Sequence, residues 1–190
     1  MGHHRRLPRL PRRVRVLGAV AAVLITALPL APASSAAAVT PTLTTASAPR
    51  DAASAVREAR LLRQETVAML DRYLADYGNR VSAAANDQLR AYRTSADRQL
   101  ATVVVTTRRL QSAVAARAPR SEVLAAGRAA QRSHARARAA AQASYEGARR
   151  IMEPQLSLFE GIGALRDYNA MLSRLDSLGD RIDAVVATVD

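Results

Sequence analysis

The chain reads RVSAAANDQLRAYRTSADRQLATVVVTTRRLQSAVAAR from Arg80 to Arg117, and this stretch decides the fold. It is the longest uninterrupted helical pattern in the sequence, because apolar or small residues recur in it every three or four positions. These are Ala85, Leu89, Tyr92, Ala96, Leu100, Val103, Thr107, Leu110 and Val114. Such spacing places one apolar stripe along a long α-helix. A helix of this kind buries its stripe against other helices, so the sequence predicts a helical bundle.

Three further helices are predicted, one before this stretch and two after it. The first covers residues 51–77, where apolar side chains again recur three or four positions apart. Ala118-Pro119-Arg120 interrupts the second helix after residue 117, and the third is predicted over residues 121–152. The fourth covers residues 158–189 and follows a capping-box sequence, Ser157 to Glu160.

Short connections make neighbouring helices run antiparallel. We therefore predict an all-α, antiparallel up-down-up-down four-helix bundle over residues 51–190, with helices at about 51–77, 80–117, 121–152 and 158–189. A three-helix, spectrin-like rod is the alternative if the first helix packs loosely. The last connection has two possible positions. Pro154 and the capping box favour residues 153–157, whereas two glycines would also permit a turn at 161–163.

Small residues dominate the inward face of the third predicted helix. Gly127, Ala130, Ala137 and Ala141 lie on it, and His134 lies among them. Small residues let helix axes approach closely, but each buries little apolar area, whereas a buried leucine contributes roughly 1.5–3 kcal/mol. We expect this seam to be the weakest part of the core.

Residues 1–38 have the three parts of a secretory signal peptide. Six arginines without an acidic residue precede an apolar run at 16–30, and small residues follow it. Because a bilayer-spanning helix needs about 20 apolar residues, we favour cleavage, after Ala33 or after Ala38. Residues 39–50 then form a flexible lead-in, rich in Thr, Ser, Ala and Pro. These features predict a secreted or extracytoplasmic protein, associated with the cell envelope and without a stable transmembrane span in its mature form.

The sequence lacks the residues that several kinds of functional site require. There is no cysteine, which excludes disulfides, a lipoprotein anchor and thiol catalysis. His134 is the only histidine after the predicted signal peptide, and no Glu-x-x-His motif of a dimetal site occurs. We expect no enzymatic activity, no metal and no cofactor. All basic residues are arginine and alanine is abundant, as is typical of a GC-rich bacterial genome.

The positive charge of the sequence is concentrated around the connection between the second and third helices. The formal net charge is +12, of which the six arginines of the predicted signal leave on cleavage. Most of the remaining excess lies in residues 108–150. The arginines that form the cluster are Arg108, Arg109, Arg117, Arg120, Arg128, Arg132, Arg136 and Arg138.

Two interpretations of this charge remain open. In the first, arginines of the third helix face carboxylates of the fourth, in exposed pairs that contribute about 0–1 kcal/mol each. In the second, Arg108, Arg109, Arg117, Arg120, Arg128 and Arg132 bind an anionic envelope component or another exported protein. Nucleic acid is disfavoured as a partner because of the predicted export and the lack of aromatic residues on the basic face.

The leading hypothesis is therefore an exported, non-enzymatic bundle that acts by surface contact at the bacterial cell envelope. The alternative is a ligand-binding bundle that holds haem or an apolar molecule near His134. Met69, Met152 or Met171 would supply the second haem ligand. A reversible membrane-surface protein, which binds anionic lipid, is a third possibility.

Overall fold

Four α-helices make up most of residues 47–189, the part of the chain that the computed structural model describes. They are α1 (Ala48–Tyr77), α2 (Ala83–Ala115), α3 (Arg120–Met152) and α4 (Leu158–Ala187). Short 3-10 turns at Gly78–Arg80 and Glu153–Gln155 follow α1 and α3. No strand occurs within these residues, and the prediction of an all-α bundle is confirmed. The predicted signal peptide, residues 39–46 of the predicted lead-in and Asp190 lie outside the described residues.

Side-chain pairs between helices show that sequence neighbours run in opposite directions. Arg63 of α1 pairs with Asp97 of α2, and Asp71, farther along α1, pairs with Arg93, earlier in α2. The same reversal relates α3 and α4 to each other and α1 to α4, in the pairs Gln131–Asp183, Arg138–Asp176, Glu58–Arg181 and Glu65–Arg174. Each helix contacts two neighbours, and α4 closes the ring onto α1. No helix in the described part combines the length and the apolar composition that a membrane span requires.

The observed helix starts reflect their caps. α1 begins at Ala48, three residues before the predicted start, with Pro49 in its first turn, where a missing N–H is tolerated. α2 begins at Ala83 rather than residue 80, because the Ser82 hydroxyl accepts a hydrogen bond from the Ala85 N–H at 3.3 Å. Residues 78–80 form the short 3-10 turn instead.

The start of α4 decides between the two predicted positions of the last connection. The Ser157 N–H donates to Glu160 Oε2 at 2.7 Å, and the Glu160 N–H donates to Ser157 Oγ at 3.3 Å. This reciprocal pair is a capping box. The connection therefore lies at residues 153–157, and residues 161–163 are helical.

The turn between α2 and α3 contains a left-handed residue. The Ala118 N–H donates to the Ala113 carbonyl at 3.0 Å and the Arg117 N–H donates to the Val114 carbonyl at 3.1 Å. These two bonds define a Schellman motif, which usually places glycine in the left-handed conformation. Here Arg117 adopts it, with φ of 50°, at a cost of roughly 1–2 kcal/mol for a residue with a Cβ atom.

Most buried side chains lie in one half of the bundle. We call this the packed half; it contains the α2/α3 turn. The largest fully buried side chains there are Leu62, Val103, Thr107, Leu110, Leu175, Leu178, Ile182 and Val185. Gly127 of α3 lies so close to α4 that a Cβ atom on it would be 2.5 Å from Val186 Cγ2. The small residues of α3 thus allow the close approach that the sequence predicted, and larger side chains of α4 and α1 supply the bulk.

The other half, which contains the α1/α2 and α3/α4 connections, is open. The three- and four-residue spacing along the fourth helix predicts that residues 158, 162, 165 and 169 face inward, and the structure corrects this prediction. Leu158 is 76% exposed, Ile162 56% and Leu165 46%, and Asn169 is also exposed. The periodicity identifies an apolar face correctly, but this part of α4 lies opposite small side chains such as Ala148, which do not cover it.

Replacing Arg117 with glycine should stabilise the protein by about 1 kcal/mol, because glycine adopts positive φ without a Cβ clash. Arg117→Ala is the matched control, since it removes the same charge but keeps the Cβ atom. Chemical denaturation of the two variants measures the difference. Equal stabilities would contradict a left-handed residue in this turn.

Candidate functional site

Six of the eight arginines of the predicted cluster, all except Arg136 and Arg138, lie towards the α2/α3 turn in the packed half. They come from the last turns of α2, the α2/α3 turn and the first half of α3. All are exposed: Arg108, Arg109, Arg117, Arg120, Arg128 and Arg132. We call this set the basic surface.

The basic surface lacks counter-charge from its own helices. Between Asp97 and Glu146 the only acidic residue is Glu122. Accordingly, no ion pair joins α2 to α3 within residues 47–189, whereas ion pairs do join α1 to α2, α1 to α4 and α3 to α4. Five of the six arginines, all except Arg120, form no ion pair with any described residue. Arg120 donates from Nε to the Val189 carbonyl at 2.8 Å.

The first interpretation, in which arginines of α3 pair with carboxylates of α4, holds for Arg138, which is not part of the basic surface. Arg138 Nε lies 2.6 Å from Asp176 Oδ1, and this hydrogen bond holds the pKa of the Asp176 carboxyl below its usual value. It is the single ion pair between α3 and α4 in the described part of the chain. In the described residues the carboxylates of α4 thus form an ion pair with the middle of α3, but none with Arg128 or Arg132.

His134 is half-buried between α3 and α4. Its Nε2 lies 2.7 Å from the Leu175 carbonyl oxygen; because a carbonyl only accepts, Nε2 is the protonated ring nitrogen. The ring also packs on Gly179, where a Cβ atom would lie 2.7 Å from His134 Cε1. The structure does not bring His134 together with the three methionines that were considered as haem partners, since these line a cavity whose wall does not include His134.

This cavity occupies the open half and has a volume of about 500 Å³. Its floor consists of four buried residues, one from each helix: Thr66, Leu100, Ala137 and Leu175. Above the floor lie Met69, Ala96, Ala141 and Met171, again one from each helix. The mouth is lined by Met152, Leu156, Leu158, Ile162 and Leu165. The small side chains of α3, which permit close packing near the α2/α3 turn, here leave space unfilled.

All five tyrosines of the sequence line the cavity. Four of them form one layer, because the antiparallel register brings Tyr73, Tyr92, Tyr145 and Tyr168, one from each helix, to the same level. The rings of Tyr145 and Tyr168 stack with centroids 3.7 Å apart. The Tyr73 hydroxyl donates to Asp167 Oδ2 at 2.9 Å, and burial together with this carboxylate raises the pKa of Tyr73 to about 12. The fifth, Tyr77, lies nearer the mouth.

Sequence reasoning did not identify this cavity. The three- or four-residue spacing places Tyr73 and Tyr77 on the inward face of the first helix, Tyr92 on that of the second and Tyr145 on that of the third. It places Tyr168 on no inward face. One feature of the sequence could have indicated the cavity. Tyrosines and alanines both occupy inward positions in the parts of the helices that form the open half. Large rings beside small side chains leave irregular space that neighbouring residues do not fill.

Neither a metal site nor a match to a known protein indicates the function. Within residues 47–189 no group of three or more His, Asp or Glu side chains is placed to hold a metal ion. Comparison of the chain with protein-family models, with curated proteins and with solved structures gave no match. Function is therefore inferred from the basic surface and the cavity.

Substituting leucine for Ala141 should change the free energy of unfolding by less than about 1 kcal/mol, because the added atoms enter the cavity. Ala130→Leu is the matched control. Ala130 is fully buried in the packed half, so the same change there should destabilise the protein by about 1–3 kcal/mol. Chemical denaturation measures both values, and equal destabilisation would contradict an unfilled volume beside Ala141.

Proposed function

We propose that this is an exported, non-enzymatic helical-bundle protein that works by surface contact at the bacterial cell envelope. The basic surface is its binding face, and an anionic envelope component or another exported protein is its partner. The observation that carries the proposal is the missing counter-charge: no ion pair joins α2 to α3 within residues 47–189, although both helices and the turn between them expose arginines.

Five arginines of the basic surface, all except Arg120, form no ion pair with a described residue, and they suit an anionic partner for two reasons. Ordinary surface ion pairs hold guanidinium groups against carboxylates of the same protein, whereas these groups are available to a partner without breaking such pairs. The planar guanidinium also donates two parallel hydrogen bonds to a phosphate or a carboxylate. The favoured partner chemistry is therefore a surface that carries many phosphate or carboxylate groups.

The export part of the proposal rests on the sequence pattern of residues 1–38. Removal of the six arginines in that segment lowers the formal charge from +12 to about +6. The positive charge that remains is concentrated at the basic surface, since residues 151–190 carry more acidic than basic side chains. A localised excess of this kind directs binding through one face of the molecule.

Changing Arg108, Arg109, Arg117 and Arg128 together to glutamine should weaken binding to a purified envelope fraction about tenfold or more. Four lost contacts of about 0.3–1 kcal/mol each give this magnitude. The matched control changes Arg57, Arg60, Arg90 and Arg98 to glutamine, because these exposed arginines also form no ion pair with described residues. It removes the same charge from other surfaces and should bind nearly as well as the unaltered protein.

The measurement is co-sedimentation at low and at moderate ionic strength, with wall polymer and anionic-lipid vesicles as separate arms. Binding through the basic surface should fall as salt screens the charges. Equal loss of binding in the two fourfold variants would show that net charge alone matters. Binding that is insensitive to salt would also overturn the proposal.

A further inference from the structure

We infer that the cavity in the open half is a binding site for an uncharged, elongated, mainly apolar small molecule. This site is separate from the basic surface and lies away from His134. Protein interiors are normally packed with few voids larger than a water molecule. A volume of about 500 Å³ instead falls within the range of small-molecule sites, roughly 300–1,000 Å³.

The wall chemistry determines the ligand's polarity. Leucine, methionine, alanine and tyrosine side chains dominate the lining, and the charged members are Arg93, Arg149 and Glu153. Each of these already has a partner: Arg93 Nε lies 2.8 Å from Asp71 Oδ1, and Arg149 Nη2 lies 3.3 Å from Glu153 Oε1. A charged ligand would lose its hydration here without gaining an unpaired counter-charge, which is unfavourable. An uncharged molecule avoids that cost.

The arrangement of the layers determines the ligand's shape. The cavity runs from the floor at Thr66 to the mouth near Tyr77, along the axis of α1. Eleven residues of α-helix rise about 16 Å. A molecule of about that length, narrow enough to lie between four helices, would occupy the space from floor to mouth.

The tyrosine layer lies partway along the cavity and favours a ligand with a polar group at that level. Tyr73 uses its hydroxyl on Asp167, whereas Tyr92, Tyr145 and Tyr168 make no hydrogen bond to any described residue. The Tyr92 hydroxyl lies against Gly147 of α3, so Tyr145 and Tyr168 are the two whose hydroxyls can donate to or accept from a bound molecule. A ligand with a neutral oxygen group, such as a hydroxyl or a carbonyl, on an apolar skeleton fits this wall.

The mouth is suited to admit such a molecule. Leu158, Ile162 and Leu165 frame it with exposed apolar surface, and a contiguous exposed patch of this kind is typical of ligand-binding grooves. The capping box fixes the first turn of α4, and the ion pair of Arg80 Nη1 with Glu160 Oε1, at 3.0 Å, joins this turn to the α1/α2 connection. The entrance therefore has a fixed edge beside an apolar opening.

The test uses the full-length mature protein and N-phenyl-1-naphthylamine, an uncharged apolar dye that becomes fluorescent in apolar surroundings. We expect saturable binding of one dye per protein, unchanged between low and moderate salt. Ala141→Phe, which places a ring inside the cavity, should weaken binding tenfold or more. Ala139→Phe is the matched control, because Ala139 is exposed on the same helix, and it should bind the dye as the unaltered protein does.

Circular dichroism establishes that each variant is folded, and Ala148→Leu, nearer the mouth, replaces Ala141→Phe if the latter unfolds. Equal dye affinity of the cavity variant and the Ala139→Phe control would overturn the inference. So would dye binding that disappears on dilution together with a dimer, since the mouth would then belong to an interface with a second copy. The fourfold glutamine variant of the basic surface should keep full dye affinity, so the two proposals fail independently.

Discussion

The approach of α3 to α4 at Gly127 is the constraint on which the rest of the bundle depends. A single added Cβ atom there would meet Val186, so the two helices are joined by backbone proximity rather than by large side chains of α3. This holds only where α4 and α1 supply bulk, as Leu62, Leu178 and Ile182 do. Where the facing side chains are short or exposed, the same small-residue seam encloses the cavity. The small inward side chains of α3 thus explain both the close packing of one half and the cavity in the other.

The helices were predictable because their signals are local. Spacing of apolar residues gave the four segments, and the Ser157 and Glu160 pair gave the start of α4 through its own hydrogen bonds. Two features were not predictable. Arg117 takes a conformation in which glycine is the usual residue, and the exposure of Leu158 depends on the size of the side chains that other helices place opposite it. Periodicity reports which face is apolar, but not whether other helices cover it.

The basic surface and the cavity differ in how much of each could be predicted from the sequence. Arginines on helix surfaces are exposed almost wherever they occur, so the basic surface followed from composition and from the gap between Asp97 and Glu146. The cavity required the register between four helices. Nothing in the linear order relates Tyr92 to Tyr168, and only the antiparallel arrangement places them in one layer. The ligand hypothesis was therefore centred on His134, whose ring nitrogen is hydrogen-bonded to a backbone carbonyl.

The uneven burial has a consequence for motion. Amide groups exchange with solvent through local opening, and the free energy of opening follows the local density of buried contacts. The backbone of the packed half beside the buried residues Val103, Leu110, Leu178 and Ile182 should open only when the whole domain unfolds. The ends of α1 and α3 and the start of α4, which surround the cavity, should open in smaller and more frequent fluctuations. A bundle built of four nearly equal helices is thus two dynamic regions, and the boundary between them lies at the level of Thr66 and Leu100.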